Sequence, residues 1–172
     1  MIPNPYTVQN NDFISTISVA CPKCNLQALV LGGDPHKAIS EYEDEVRFSC
    51  TSCGYALKYA NTPKFTIYTN SRGKDVTSRV LIKNSPFDPY FGFNVWYQIE
   101  TTYGLLWAYN LDHLAVIENY IADSQRSRNG LENKNNSIGS RLPQWVKDSK
   151  NRAYLLKIIQ RLKKLYFFRN SI

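Results

Sequence analysis

Four cysteines, arranged as two identical C-x-x-C pairs, constrain this sequence more than any other feature. Cys21 and Cys24 lie in "ACPKCN", and Cys50 and Cys53 lie in "SCTSCGY", with 25 residues between the two pairs. Two residues between cysteines allow a tight turn to direct both thiolates at one ion, and two such turns complete a tetrahedral S4 site. Gly54 permits the left-handed backbone that follows the second pair. The four cysteines are therefore predicted to bind one Zn²⁺.

Other uses of paired cysteines fit this sequence less well. Structural disulfides persist in oxidising compartments, whereas the first residues, "MIPNPYTVQNND", lack the basic start and apolar run of a signal peptide. A redox C-x-x-C is typically a single motif in a βαβ unit. An iron–sulfur cluster also uses four cysteines, although matched turns between strands favour zinc. A closed S4 site has no open coordination position, so this zinc is expected to be structural and not catalytic.

The hydrophobic pattern changes along the chain from strand-like to helix-like. Short alternating or apolar segments bounded by turn residues predict strands over 13–20, 27–32, 46–50, 55–60, 64–69, 76–82, 93–98 and 104–110. After Asn110, a good N-cap, apolar residues recur at helical spacing, which predicts a helix over 111–126. A short helix around Trp145 and a last helix over 151–168 follow.

These elements predict an α+β fold. We expect an N-terminal β-rich zinc ribbon joined to an antiparallel sheet with two or three C-terminal helices. The predicted organisation is a zinc-ribbon module over 13–60, a β and aromatic segment over 61–110, and a helical segment over 111–172 with a mobile loop over 127–140. With 172 residues, of which 43% are hydrophobic, the three segments are expected to form one compact unit.

The positive charge is concentrated at the C-terminal end. The formal net charge of +7 comes from 21 Lys and Arg against 14 Asp and Glu. Nine of these basic residues but one of the acids lie in residues 141–172, which gives this segment +8 and leaves −1 for residues 1–140. A basic C-terminal segment is typical of a region that contacts an anionic partner, and also of a helix with a long solvated face.

The sequence carries no recognisable catalytic pattern. It contains no G-x-S-x-G, P-loop, dinucleotide-binding or H-E-x-x-H motif. His36 lies in a Gly/Pro turn and His113 in the first turn of a predicted helix, and no neighbour in sequence would orient either as a general base. The acidic run 41–45 is typical of a solvated loop tip. The chain is therefore predicted to be non-enzymatic, while a pairing of distant carboxylates such as Asp88 and Glu100 stays open.

Several short motifs occur in an order that resembles a family of small bacterial zinc-ribbon-containing proteins. They are "CPKC", "FSCTSCGY", "DPYFG", "LWAYN", "LPQWVKDSKNR" and "LKIIQRLKKL", and they span Cys21 to Leu165. The family has no assigned chemistry, but some members lie beside polymorphic-toxin genes, so the resemblance implies an immunity role. Many relatives have further cysteines before the "LWAYN" segment. This chain has Thr101 and Thr102 there, so no second metal site is expected.

These observations lead to two alternative functions. The first is an immunity-type inhibitor that occludes a bacterial toxin, because exposed aromatic residues often anchor protein interfaces. The alternative is a nucleic-acid-binding zinc-ribbon protein that uses the basic C-terminal helix. Residues predicted to contact the partner are Tyr90, Phe91, Trp96, Lys157, Arg161, Lys163 and Lys164. No segment has the roughly 18 apolar residues of a membrane span, so we expect a cytoplasmic protein without a membrane partner.

Overall fold

The computed structural model describes residues 2–126, 128, 130, 131 and 134–169, with the backbone alone over 165–169. Predictions that fall on residues 127, 129, 132, 133 and 170–172, or on the side chains of 165–169, lie outside the described residues. The described strands form one four-stranded and two two-stranded antiparallel sheets, and helices follow in the second half of the chain. This arrangement confirms the predicted α+β class.

The four-stranded sheet carries both cysteine pairs. Its strands are β1 (Thr16–Ala20), β2 (Gln27–Leu31), β3 (Arg47–Ser49) and β4 (Ala56–Lys58), in the order β1-β2-β3-β4. Ile17, Val30 and Phe48 pair across neighbouring strands and are almost fully buried, so one face of the sheet packs on the core. Because β1 and β3 run in the same direction, the two cysteine-containing turns lie at the same end of the sheet.

Two further pairs of strands follow the four-stranded sheet β1–β4, which is called the ribbon below. They are β5 (Phe65–Thr69) with β6 (Asp75–Ser78), and β7 (Tyr97–Thr101) with β8 (Gly104–Ala108). The strand predicted over 93–98 is displaced, since regular pairing begins at Tyr97. The residues before it run along the free edge of β1, where the Ala20 N–H donates to the Asn94 carbonyl at 2.9 Å. This contact attaches the middle of the chain to the ribbon.

The strand predicted over 76–82 ends early, at Ser78. The next residue, Arg79, binds back to the ribbon: its Nε donates to the Thr62 carbonyl at 3.2 Å, and its Nη1 lies 2.6 Å from Glu43. An arginine held in this way directs the chain away from the hairpin, so the ladder cannot continue beyond it.

Four helices complete the described structure: α1 (Leu111–Ala122), α2 (Ile138–Arg141), α3 (Gln144–Lys147) and α4 (Arg152–Arg169). The side chain of Asn110 accepts the His113 N–H at 2.8 Å, which confirms the predicted N-cap. Helix α1 ends at Ala122, before the predicted boundary, because residues 123–126 are all polar and cannot extend its buried face. Helix α1 packs against α4 and β8.

The end of the loop predicted over 127–140 is ordered and buried. Ile138 is 1% exposed and begins helix α2 after Ser137, whose hydroxyl accepts the Ser140 N–H. The Ile138 N–H donates to the Val8 carbonyl at 2.9 Å, so the N-terminal segment holds this turn in place. Among the described helices none is both long enough and apolar enough to cross a membrane.

Candidate metal centre

The first cysteine pair lies in a tight turn that joins β1 to β2. The Cys21 N–H donates to the Leu26 carbonyl at 2.8 Å, and the Asn25 N–H donates to the Cys21 carbonyl at 2.9 Å. Asn25 takes a left-handed backbone conformation, with φ of 57°, which closes the turn. Asparagine tolerates this conformation better than most residues with a side chain.

The second pair repeats the same turn between β3 and β4. The Cys50 N–H donates to the Tyr55 carbonyl at 2.8 Å, and the Gly54 N–H donates to the Cys50 carbonyl at 2.9 Å. Gly54 has φ of 73°, so the predicted left-handed glycine is confirmed. Asn25 occupies the equivalent position of the first turn. Asn25 was not predicted from the sequence, although an asparagine directly after a C-x-x-C pair is a usable signal.

The two turns bring all four sulfur atoms together. Cys21 Sγ lies 3.7 Å from Cys53 Sγ, Cys24 Sγ lies 3.6 Å from Cys50 Sγ, and the four sulfurs all lie within 4.8 Å of one another. The cysteines are free thiols and form no disulfide. Four ligands at about 2.3 Å from one tetrahedral ion would be separated by about 3.8 Å. The cluster therefore has the chemistry and the dimensions to bind a metal ion.

Backbone N–H groups point at these sulfurs and alter their pKa values. Burial raises the pKa of Cys50, but the N–H groups of Cys53 and Ser52 and the Cys24 thiol outweigh it and lower the pKa to about 7. The Leu26 N–H lowers the pKa of Cys24, but burial and the neighbouring thiols outweigh it and raise the pKa to about 12. Four thiolates this close repel one another, so they ionise together when a cation lies between them.

The two turns also contact each other outside the cluster. Lys23 Nζ lies 4.0 Å above the centre of the Tyr55 ring, which joins the first cysteine turn to the second. Cys21 and Cys50 are buried at 0% and 2% exposure, whereas Cys53 is exposed. The cluster thus has a dry side formed by the sheet and an open side where an ion can enter.

Aromatic residues support the sheet beneath the cluster. The Phe48 ring lies edge-on to Tyr55 at 5.5 Å and to Phe93 at 4.9 Å, and Phe91 stacks on Phe93 at 5.7 Å. These contacts link the second cysteine turn to the "DPYFG" segment. Such pairs contribute about 0.5–1.5 kcal/mol each beyond burial.

Asp88 of that segment has a structural role. Its carboxylate accepts the backbone N–H groups of Tyr90 at 3.0 Å, Phe91 at 2.8 Å and Phe93 at 2.6 Å. Burial raises its pKa, and the three N–H groups oppose that increase. Because these donors fix the loop that places Phe91 and Phe93 against Phe48, the carboxylate orders the support of the ribbon.

The aromatic residues predicted to contact a partner differ in exposure. Tyr90 is 6% exposed, and its hydroxyl accepts the Gly33 N–H at 3.4 Å, so it belongs to the core and the prediction of a surface anchor is wrong. It is buried because the Asp88 loop turns it toward the ribbon. Phe91 and Trp96 are half-buried.

The basic residues predicted to contact a partner lie on α4. Lys157, Arg161 and Lys164 are exposed, whereas Lys163 is half-buried and forms an ion pair with Glu118 of α1. Lys163 therefore holds two helices together, and the other three form the solvated face of α4.

An apolar surface that was not predicted from the sequence lies on the β5–β6 hairpin. Five large apolar side chains on this hairpin and just after it are 56–61% exposed: Phe65, Ile67 and Tyr68 lie on β5, and Val80 and Ile82 follow Arg79. Apolar residues in a strand have the same pattern whether or not another layer covers them. Sequence periodicity therefore could not identify these residues as exposed, although the run "KFTIYT" marked the strand itself.

An open groove of about 320 Å³ separates this hairpin from the ribbon. Six aromatic residues line it: Tyr55, Tyr59, Phe65, Tyr90, Phe91 and Phe93. Arg79, which binds the hairpin to the ribbon, also lines the groove. The groove thus runs from the second cysteine turn to the exposed hairpin.

Comparisons of the chain with protein-family models, with curated proteins and with solved structures find no match. The evidence for function therefore lies in the cysteine cluster, the hairpin and the charged helix.

Proposed function

We propose that the four cysteines bind one Zn²⁺ with a structural role. The sulfur separations of 3.6 and 3.7 Å approach the edge of a tetrahedral zinc–thiolate site, about 3.8 Å, and N–H groups already point at the sulfurs. Zinc bound by four thiolates keeps no position for a water or substrate. Apparent binding free energies of about 10–16 kcal/mol in such sites couple metal binding to folding.

Metal analysis of the purified protein tests this assignment. One zinc per chain is expected, and Cys50→Ser should lose it and unfold the ribbon sheet. Ser52→Ala is the matched control, because it lies in the same turn, is not a ligand and keeps its backbone N–H. A chain that binds less than half an equivalent of zinc and keeps its thermal midpoint in a strong chelator would contradict the proposal.

We infer that the protein as a whole is a non-enzymatic protein-binding module, and that the β5–β6 hairpin is its contact surface. The exposure of three large apolar side chains on β5, together with Val80 and Ile82 just after the hairpin, carries this inference. Soluble monomers rarely expose contiguous apolar patches of this kind unless a partner covers them. Both strands also keep one unpaired edge, since β5 pairs with β6 alone among the described strands.

A β-bulge places the aromatic side chains of the hairpin together. Phe65 pairs with Ser78 and Tyr68 pairs with Val76, with a register shift between Thr66 and Tyr68. Ser78 and Val76 are two residues apart and share a face of the hairpin. Phe65 and Tyr68 must therefore share that face as well, although three residues separate them. Bulges often direct side chains in this way at functional surfaces.

The hairpin is held against the ribbon before any partner binds. The Arg79 side chain is 7% exposed, forms an ion pair with Glu43 at 2.6 Å, donates to Thr62 and covers the Tyr59 ring at 5.3 Å. A surface that is ordered in advance binds with a smaller entropic cost. Zinc would rigidify the ribbon to which Arg79 attaches the hairpin. The metal would therefore help to order the surface that binds the partner.

The partner that best fits this surface is a protein with an acidic face, and we propose a bacterial toxin that this chain inhibits. Between Lys64 and Lys83 the sequence has five basic residues and one acid, Asp75. Aromatic anchors surrounded by positive charge complement an apolar site with an acidic rim. An inhibitor acts stoichiometrically and needs a rigid surface without catalytic groups, and the resemblance to immunity-associated zinc-ribbon proteins points the same way.

Co-expression with the product of the neighbouring gene tests this proposal. Neutralisation of a toxic product, together with a stable complex in calorimetry, is expected. Ile67→Ser and Tyr68→Ser should each weaken binding by about tenfold or more. Ile2→Ser is a matched control, since Ile2 is 51% exposed outside the hairpin. Equal effects of Ile67→Ser and Ile2→Ser would show that the hairpin is not the interface.

The exposed cations of α4 favour a second candidate, nucleic-acid binding. Lys157, Arg161 and Lys164 could contact phosphates, and binding would then weaken by orders of magnitude between low and moderate salt. Fluorescence polarisation with single-stranded and duplex oligonucleotides over a salt series separates the two candidates. Steep salt dependence that is lost in Lys157→Glu/Arg161→Glu, with no effect of Ile67→Ser, would favour nucleic acid.

A further inference from the structure

A second cavity, remote from the cysteine cluster in sequence, lies among β8, α1, α2 and α3. Its volume is about 260 Å³, and its walls include Trp107, Ile117, Leu142 and Trp145. Two indole rings and two aliphatic side chains provide apolar walls on a scale that suits one small ring. Pockets of this kind bind ligands when a few polar groups fix the orientation.

His113 supplies such a group in the wall of the cavity. The residue is 1% exposed, and its ring stacks on Phe13 at 4.9 Å. Its Nδ1 accepts the Tyr109 N–H at 3.2 Å, so the neutral ring carries its proton on Nε2. None of the described residues accepts a hydrogen bond from that Nε2–H. Since His113 lines the cavity, a ligand or a water inside it can accept from this Nε2–H.

Positive charge and amide groups lie at other points of the cavity wall. Arg141 lines it and is exposed to solvent, and its Nε donates to the Asn135 carbonyl at 3.2 Å, which leaves the Nη groups available. Asn10 and Asn84 also line the cavity. No Asp or Glu occurs among the described lining residues. The electrostatics of the wall therefore favour an anionic group over a cationic one.

We propose that this cavity binds a small aromatic carboxylate with a hydrogen-bond acceptor at the far end of its ring. The ring lies against the two indoles, the carboxylate lies beside Arg141, and the acceptor takes the proton of His113 Nε2–H. A carboxylate beside a solvent-exposed arginine keeps part of its hydration, whereas a buried one would need full compensation. The site is independent of the hairpin and of the metal, so it adds a ligand to the proposed protein-binding function.

Calorimetry and indole N–H shifts in NMR spectra with three probes test the proposal. The probes are 4-hydroxybenzoate, benzoate, which lacks the acceptor, and 4-hydroxybenzyl alcohol, which lacks the charge. Saturable binding is expected, with the highest affinity for 4-hydroxybenzoate. The affinity for each of the other two probes should be lower by about fivefold or more. The Trp107 and Trp145 signals should shift together with the His113 ring. If none of the three probes binds saturably, the proposal is overturned.

Two variants separate this site from a non-specific apolar surface. Arg141→Gln should weaken the two carboxylates by about fivefold and leave the alcohol unchanged, whereas Arg161→Gln, an exposed arginine on α4, should change none. Leu142→Trp should fill the cavity and abolish binding of all three while the thermal midpoint is retained. Unchanged binding in both Arg141→Gln and Leu142→Trp would place the ligand elsewhere and refute the assignment. The hairpin variants Ile67→Ser and Tyr68→Ser should bind the probes normally, so failure here leaves the protein-binding proposal unaffected.

Discussion

Phe48→Ala is the substitution that most directly tests how the ribbon is held. Phe48 is 1% exposed and contacts Tyr55, Phe91 and Phe93 through edge-on ring pairs. Removal of a buried phenylalanine costs about 3–5 kcal/mol. The loss of three aromatic contacts places this site toward the upper end of that range, because each pair adds about 0.5–1.5 kcal/mol beyond burial.

Denaturant unfolding at saturating zinc measures this cost, and Phe65→Ala is the matched control. Phe65 is also a strand residue but is 58% exposed, so its replacement should change the free energy of unfolding by less than about 0.5 kcal/mol. For a domain of this size the Phe48 loss corresponds to a thermal midpoint lower by about 10–15 °C. Equal shifts of the midpoint for both variants would refute the assignment of Phe48 to the core.

Three more outcomes are expected. Arg79→Met should cost about 2–3 kcal/mol, because Glu43 keeps only Lys64, at 3.7 Å, and the hydrogen bonds to Thr62 are lost. Hydrogen exchange should then accelerate over residues 65–78, and unchanged protection there would show that this arginine does not hold the hairpin. Asn110→Ala removes the cap of α1 and should cost about 1–2 kcal/mol, measured by urea unfolding. Burial lowers the pKa of His113 to about 3 from 6.5. As the pH falls, His113 is therefore protonated in the unfolded chain at a higher pH than in the folded chain. The free energy of unfolding should consequently fall by about 2 kcal/mol from pH 7 to pH 5. His113→Gln should lack this dependence, and NMR detection of a charged His113 ring at pH 5 in the folded protein would contradict it.

The proposed metal and the proposed contact surface are linked through one structural path. The second cysteine turn contains Tyr55, which packs on Phe48, and the same sheet leads through Tyr59 to Arg79 and the hairpin. Loss of the metal should therefore loosen the hairpin as well as the ribbon. Hydrogen exchange over residues 65–78 in chelator, compared with zinc-saturated protein, measures this linkage.

The cysteine cluster could be predicted from the sequence because its geometry is local. A C-x-x-C pair between two strands forms the same turn wherever it occurs, and Gly54 marks the left-handed residue that closes it. Two such turns within one antiparallel sheet then meet at the same end. The N-cap of α1 was predictable for the same reason, since Asn110 contacts the His113 N–H only three residues away.

The exposure of the residues predicted to contact a partner was only partly predictable. The aromatic segment around Tyr90 was expected to contact a partner. The Asp88 carboxylate accepts three backbone N–H groups, however, and the loop that they fix places Tyr90 in the core. Lys163 was expected on the basic surface and instead pairs with Glu118, which lies 45 residues earlier in the chain. Both outcomes depend on contacts that a local pattern does not contain.

The sequence alone determined where the paired cysteines and most of the strands and helices lie, because alternation, capping residues and C-x-x-C spacing act over a few residues. Only the tertiary structure decided which apolar faces are covered. Phe48 and Phe65 both lie in short strands of the first half of the chain. Phe48 is buried on the core side of the ribbon sheet, whereas Phe65 is exposed on the hairpin. Local periodicity gives the direction of a side chain within its own element. Whether a second layer packs on that face depends on residues far away in the chain.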